Sequence, residues 1–180
     1  YDKKRKMRES DIFDLASISK VVGTTSAIMK MYDDKLIDLD DKVVTYLPQF
    51  KGKQKKYFNH KSNISIKHLL THSSGLPPFR KYYLIDEDIE SVLDSVYNTE
   101  PIYGLEEKTV YSDVGIITLG KIVEKVSLKG LDVYVEENIT GPLGMHTTFY
   151  NPPKEKIIRI VPTEIDQNNN LVKGYVHDEN

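Results

Sequence analysis

Apolar residues recur at spacings of three and four positions through much of this 180-residue chain. This spacing places them on one face of an α-helix, and such a face must be buried against another element. Segments with the pattern lie at 17–33, 64–72, 85–97, 114–126 and 131–139. Extended patterns are limited to 1–6, 11–15, 108–111 and 157–161. The spacing therefore predicts a helix-rich fold in which the two ends of the chain carry only fragments of a sheet.

The residue composition excludes several classes of function. The chain contains no cysteine, so disulfides, thiolate metal sites and a cysteine nucleophile are excluded, and covalent chemistry would have to use Ser, Thr, Lys, Tyr or a carboxylate. A net charge of −2 gives no overall basic field, and we therefore predict no nucleic-acid partner. Because no apolar run approaches the ~20 residues that span a bilayer, no integral membrane segment is predicted.

A basic stretch at 51–67 is interrupted by only two aromatic residues, Tyr57 and Phe58. Its lysines include Lys51, Lys53, Lys55, Lys56 and Lys61. A run of like charges normally forms a solvated surface, because each charge repels its neighbours and is costly to bury. We therefore predict an exposed loop here.

The segment Ser17-Ile18-Ser19-Lys20 is the first candidate for chemistry. Residues three apart share one face of a helix, so the Lys20 amine can reach the Ser17 hydroxyl and accept its proton if its pKa is lowered. The start of a helix also supplies free backbone N–H groups that can stabilise an oxyanion. The motif alone is frequent enough to arise by chance, and ordinary helix capping by Ser17 is the alternative interpretation.

Tyr111-Ser112-Asp113 is the second candidate. A tyrosine near a cation can share a general-base role with a lysine, and Asp113 could hydrogen-bond a substrate amide. Similar triplets begin at Tyr32 and Tyr57, so the triplet alone is weak. Only Tyr111 lies at the end of an extended pattern that opens onto a strong helix, a position from which side chains face a cleft.

A histidine pair has the spacing of a zinc site but not its full motif. His68 and His72 are four residues apart, yet no glutamate follows His68 as in His-Glu-x-x-His. We therefore predict no metal site and no cofactor, and we expect His72 to hydrogen-bond the turn at 73–75.

Three segments, Phe13–Lys20, His68–Pro77 and Tyr111–Asp113, resemble in sequence and order the motifs of the β-lactamase-like serine hydrolases. That family includes class C β-lactamases, penicillin-binding DD-peptidases, D-aminopeptidases and certain esterases. The resemblance extends over roughly 12–149 and includes Pro142–Met145. It implies an α+β fold in which a helical subdomain lies beside an antiparallel sheet, with the site between them.

The resemblance also implies roles for individual residues. Ser17 would be the acylated nucleophile, Lys20 its proton partner, Tyr111 a general base or acid that passes the proton to the leaving group, and Asp113 a substrate-binding residue. The implied substrates are D-amino-acid peptides, β-lactams or small esters. Since relatives that act on peptidoglycan work outside the cytoplasm, an extracytoplasmic location is expected, with the cytoplasm as the alternative.

Two departures from the family pattern qualify these implications. Asp113 stands where penicillin-recognising members usually carry Asn, which removes an amide donor and adds a charge. The third motif, His-x-Gly or Lys-Thr-Gly, does not occur before Asn180, and the 39% hydrophobic content is below the ~45–50% usual for globular domains. We therefore expect 1–180 to be a partial domain with an incomplete sheet, which another chain segment could complete. A non-catalytic penicillin- or peptidoglycan-binding module is the alternative function.

Overall fold

A computed structural model describes residues 6–85 and 88–176. Its helices are α1 (Ser26–Asp33), α2 (Val43–Tyr46), α3 (Phe58–Asn63), α4 (Ile66–Leu70), α5 (Ile89–Asn98), α6 (Asp113–Ser127) and α7 (Leu131–Val135). Shorter π or 3-10 turns lie at Lys20–Thr25, Pro48–Lys51, Lys55–Tyr57, Tyr82–Leu84, Glu136–Thr140 and Lys154–Arg159. Strands β1 (Glu164–Ile165) and β2 (Leu171–Val172) form an antiparallel hairpin, which is the only sheet among the described residues. The predicted extended piece at 1–6 falls, except for Lys6, outside the described residues.

The core is built around α6, which packs against α1 and α4. Ser112 begins α6 by accepting a hydrogen bond from the Gly115 amide at 3.3 Å, and Leu128 ends it in a left-handed conformation (φ 58°). The buried apolar residues of these three helices are Ala27, Ile28, Met31, Ile66, Leu69, Val114, Ile116, Leu119, Ile122 and Val123. The helical spacing of the apolar residues thus predicted the faces that form the core. No helix among the described residues is both long and apolar enough to cross a membrane.

The extended pattern at 157–161 was a wrong prediction. The structure has a 3-10 helix at Lys154–Arg159, and Ile160 alone pairs, through a single parallel bridge with Ile12. An apolar extended run becomes a strand only when a neighbouring strand satisfies its backbone groups, and here one residue finds such a partner. The predicted strand-like end at 108–111 is likewise irregular backbone.

The exposed loop predicted at 51–67 was also wrong, because the stretch contains α3 and a buried lysine. Lys61 is only 1% exposed, and its ammonium donates to the carbonyls of Tyr97 at 2.6 Å and Thr99 at 2.9 Å. These carbonyls lie at the C-terminus of α5, where Pro101 has no N–H to offer Tyr97. Lys61 therefore caps α5, which the charge pattern of its own segment could not indicate.

A tight turn after α4 connects the helical core to the segment that precedes α6. Gly75 adopts φ +78°, and its carbonyl accepts hydrogen bonds from the amides of Ile102 (2.8 Å) and Tyr103 (3.3 Å). A Cβ on Gly75 would lie 2.3 Å from the Tyr103 carbonyl oxygen. Only glycine fits both the conformation and the close approach of the two backbones.

Replacing Gly75 with alanine should therefore lower the free energy of unfolding by about 2 to 3 kcal/mol, from left-handed strain and the backbone clash together. Gly144 provides the matched control, since it has a similar φ of +67° but its Cβ would meet nothing nearer than 3.9 Å. Gly144→Ala should cost only the strain, about 1 kcal/mol. Urea unfolding of both variants measures the difference, and equal losses would show that the contact with Tyr103 contributes nothing.

Candidate active site

A strained turn at Ala16 comes directly before Ser17, and the chain then enters the π turn at Lys20–Thr25. Ala16 has φ 46°, a left-handed conformation that is uncommon for a residue with a side chain, and its amide donates to Asp14 Oδ1 at 2.8 Å. The Lys20 amine donates to Ser17 Oγ at 3.0 Å, so this hydroxyl is engaged with Lys20. Local strain next to a candidate nucleophile is a feature that the sequence pattern did not indicate.

The Tyr111–Asp113 segment is fixed by hydrogen bonds to the turn after α4. The Ser112 hydroxyl donates to the Pro77 carbonyl at 2.7 Å, and the Asp113 amide donates to the Pro78 carbonyl at 2.7 Å. Ser112 is 1% exposed, whereas Tyr111 is 51% exposed. The turn thus buries the middle residue of the triplet and leaves Tyr111 at the surface, where a substrate can reach it.

The structure brings all four predicted site residues together. Lys20 Nζ lies 3.2 Å from Asp113 Oδ1 and 5.5 Å from the centroid of the Tyr111 ring, in addition to its contact with Ser17. The Asp113 contact is an ion pair without hydrogen-bond geometry, because the buried Oδ1 atom has no hydrogen-bond partner among the residues described. Lys20 is therefore the common neighbour of the other three, although their roles stay predictions.

The ionisation of Lys20 differs from that of a simple general base. Burial disfavours its charge, but contacts with Tyr111 and with the Asp113 carboxylate outweigh burial and raise the pKa of Lys20 above its ordinary value. At neutral pH, Lys20 is therefore an ammonium that donates to Ser17 Oγ. Such a group stabilises a developing alkoxide, whereas it cannot accept the Ser17 proton until it loses its own.

Asp113→Asn should lower the pKa of Lys20, because the substitution removes the anion that favours the ammonium form. If Lys20 acts as an ammonium, the loss of activity at alkaline pH should begin at a lower pH in this variant. The measurement is the rate of Ser17 acylation as a function of pH in the two proteins. A variant that instead gains activity at neutral pH would show that the neutral amine of Lys20 is the active form.

The two histidines serve different partners. His72 was predicted to bond the turn at 73–75, but its Nδ1 accepts from the Ser112 amide at 3.1 Å, and its ring lies against Tyr111. His68 Nδ1 accepts from the Ser65 amide at 3.0 Å, and His68 Nε2 lies 3.2 Å from Glu106. Among the described residues, no cluster of three or more His, Asp or Glu side chains could hold a metal ion.

The chain is similar to known proteins along almost its whole length. A family model described as "Beta-lactamase" matches residues 1–178. The N-acetylmuramyl-L-alanine amidase of Bacillus subtilis (strain 168) is 32% identical over 195 residues, covering 97% of this chain and 44% of the relative. A protein of Escherichia coli (strain K12), provisionally named a D-alanyl-D-alanine carboxypeptidase, is 34% identical over 178 residues, covering 94% and 41% of the two chains.

Solved structures show the same fold. A class C β-lactamase from Rhodobacter sphaeroides superposes with a TM-score of 0.75 at 20% sequence identity, over 95% of this chain and 46% of that one. The chain therefore spans less than half the length of these relatives. This likeness confirms the predicted fold class, a helical subdomain with part of the antiparallel sheet of a β-lactamase/transpeptidase-like fold.

Proposed function

The chain belongs to the β-lactamase family, and from this we propose that it carries the nucleophile of a serine hydrolase that acts through an acyl-enzyme. The observation that supports the proposal most strongly is the position of Lys20, whose amine lies 3.0 Å from Ser17 Oγ and 3.2 Å from Asp113. These residues come from segments almost a hundred positions apart. A helix cap or a surface ion pair would need only one of the two contacts.

The proposed reaction begins with attack of Ser17 Oγ on the carbonyl carbon of the substrate. The hydroxyl proton is transferred by way of Tyr111, the general base or acid of this step, and the Lys20 ammonium stabilises the negative charge that develops on Ser17 Oγ. The bond from the carbonyl carbon to the leaving group then breaks, and Tyr111 returns the proton to the departing atom. Water hydrolyses the ester on Ser17 in a second step, which regenerates the enzyme.

Covalent labelling tests the nucleophile directly. The protein should react with a fluorophosphonate or a fluorescent penicillin, and mass spectrometry of the digested adduct should place the label on Ser17. Ser17→Ala should lose the label, whereas Ser19→Ala, a neighbouring serine outside the contacts described above, should keep it. Equal labelling of the wild-type protein and Ser17→Ala would overturn the assignment.

Substrates are proposed from the names of the relatives and from family resemblance. One relative is named for N-acetylmuramyl-L-alanine and another for D-alanyl-D-alanine, so we place D-amino-acid peptides first, with β-lactams and small esters as the other classes. Substrates of this kind would place the protein in the cell envelope. Hydrolysis of a D-alanyl-D-alanine peptide, compared with a nitrophenyl ester and a β-lactam, ranks the three classes.

A second candidate is a binding module that recognises penicillin or peptidoglycan without turnover. It is favoured by Asp113, which replaces an amide with a carboxylate and holds Lys20 in the charged form that accepts no proton. Such a module would bind its ligand equally well in the wild-type protein and in Ser17→Ala, with no covalent adduct. Intact-mass measurement of the complex therefore distinguishes it from the hydrolase.

A further inference from the structure

His72 contacts the chain around Tyr111, from Val110 to Ser112, in three ways. Its backbone carbonyl accepts from the Val110 amide at 2.8 Å, and its Nδ1 accepts from the Ser112 amide at 3.1 Å. Its ring lies against the Tyr111 ring, with the centroids 4.9 Å apart and the planes at 45°. The residues before and after Tyr111 are thus both hydrogen-bonded to His72, while the Tyr111 side chain packs on it.

The backbone conformation of His72 allows all three contacts to form at the same time. His72 has φ 56°, in the left-handed region, and lies directly after Thr71, the residue that caps the C-terminus of α4. This region is uncommon for residues other than glycine, and such strain persists only when surrounding contacts determine it. The reversal of the chain at His72 lets its carbonyl and its ring reach the same neighbouring segment.

We propose that His72 is the positioning residue for Tyr111, acting through the hydrogen bond from the Ser112 amide to Nδ1 and through the ring contact. This inference rests on the proposed function, in which Tyr111 transfers the proton. A proton-transfer group must be held within a fraction of an ångström of its productive place, and about half of the Tyr111 surface is exposed and so has no protein contact to hold it.

The hydrogen bond from the Ser112 amide to His72 Nδ1 requires a neutral imidazole with its proton on Nε2, because Nδ1 must present a lone pair to the amide. Burial lowers the pKa of His72, the nearby Asp113 carboxylate raises it, and the Lys20 ammonium lowers it, with a net lowering. His72 is therefore neutral at physiological pH, in the form that can accept. A cationic imidazole also carries a proton on Nδ1, so it would place an N–H donor next to the N–H of Ser112 and could not accept this hydrogen bond.

Three substitutions separate the acceptor, the ring and the backbone strain. His72→Asn keeps an acceptor where Nδ1 stands and tolerates a positive φ. His72→Gly tolerates the same φ without an acceptor, and His72→Phe keeps a ring without an acceptor. If the hydrogen bond positions Tyr111, His72→Asn should acylate within about threefold of the wild-type rate, whereas the other two should lose about 10- to 100-fold.

The measurement is the maximum rate of Ser17 labelling by a fluorophosphonate, with the half-saturating probe concentration and the urea unfolding midpoint of each variant. A fall in rate without a change in half-saturation, rescued by Asn but not by Gly, supports positioning. Rates that follow only the unfolding midpoint, or a wild-type rate in His72→Gly, would overturn it. If the wild-type protein itself takes no label, both the proposed function and this inference fail. If the wild-type protein is labelled and His72→Gly is labelled at the same rate, only this inference fails.

Discussion

Replacing Lys20 with methionine should slow the acylation of Ser17 by about 100- to 1,000-fold, the range measured for loss of one donor that stabilises a developing negative charge. Methionine keeps the apolar stem of the side chain, so the packing on the Tyr111 ring changes little. The substitution removes the cation that contacts Ser17 Oγ, Tyr111 and Asp113 together. Single-turnover labelling at saturating probe concentration measures the loss as a rate.

The same substitution leaves a carboxylate without its counter-ion, so stability must be separated from catalysis. Lys20→Met should lower the free energy of unfolding by about 1 kcal/mol, since the pair is partly exposed, at 22% and 31%. The double variant Lys20→Met/Asp113→Asn should recover that stability but not the rate. Recovery of both would show that Lys20 serves only to neutralise Asp113, and an unchanged rate in the single variant would contradict the mechanism.

The candidate site could be predicted from the sequence because its residues lie in short motifs. Spacing alone left Ser17 and Lys20 between a catalytic interpretation and a helix cap, and family resemblance favoured the first. The contribution of His72 could not be predicted in the same way. Its hydrogen-bond partner, Ser112, is forty residues away along the chain. Its positive φ could not be predicted either, because nothing in the local sequence indicates a left-handed conformation at a histidine.

The fold was predicted best where apolar spacing decides the structure, as in α1, α5 and α6. It was predicted least well where a segment depends on a distant partner. The apolar run at 157–161 finds only Ile12 to pair with, so its extended propensity is not enough to form a strand. The basic stretch failed as a surface prediction for a related reason, since the burial of Lys61 is determined by helix α5 and Pro101.

Lys61→Met should lower the free energy of unfolding by about 2 to 4 kcal/mol, because two buried carbonyls at the C-terminus of α5 lose their donor. The methionine side chain fills much the same space, so the loss reports the missing hydrogen bonds and not a cavity. Lys53→Met is the matched control from the same basic stretch. Lys53 is 76% exposed and pairs with Asp94 at the surface, so its loss should cost less than about 0.5 kcal/mol.

The effect of Lys61→Met on the free energy of unfolding should depend on pH, and this dependence tests whether the buried Lys61 is charged or neutral. Burial lowers the pKa of Lys61 to about 8 against the opposing charge of Glu100, whereas the unfolded chain titrates near 10.5. Between these values the unfolded chain binds the proton and the folded chain does not, so stability rises with pH. The neutral amine still has two N–H groups for the two carbonyls. The difference in free energy of unfolding between the wild-type protein and Lys61→Met should therefore widen by up to about 3 kcal/mol from pH 8 to 10.5. A constant difference would mean that Lys61 stays charged in the folded protein, held so by its hydrogen bonds and by the Phe50 ring, whose centroid lies 4.4 Å away.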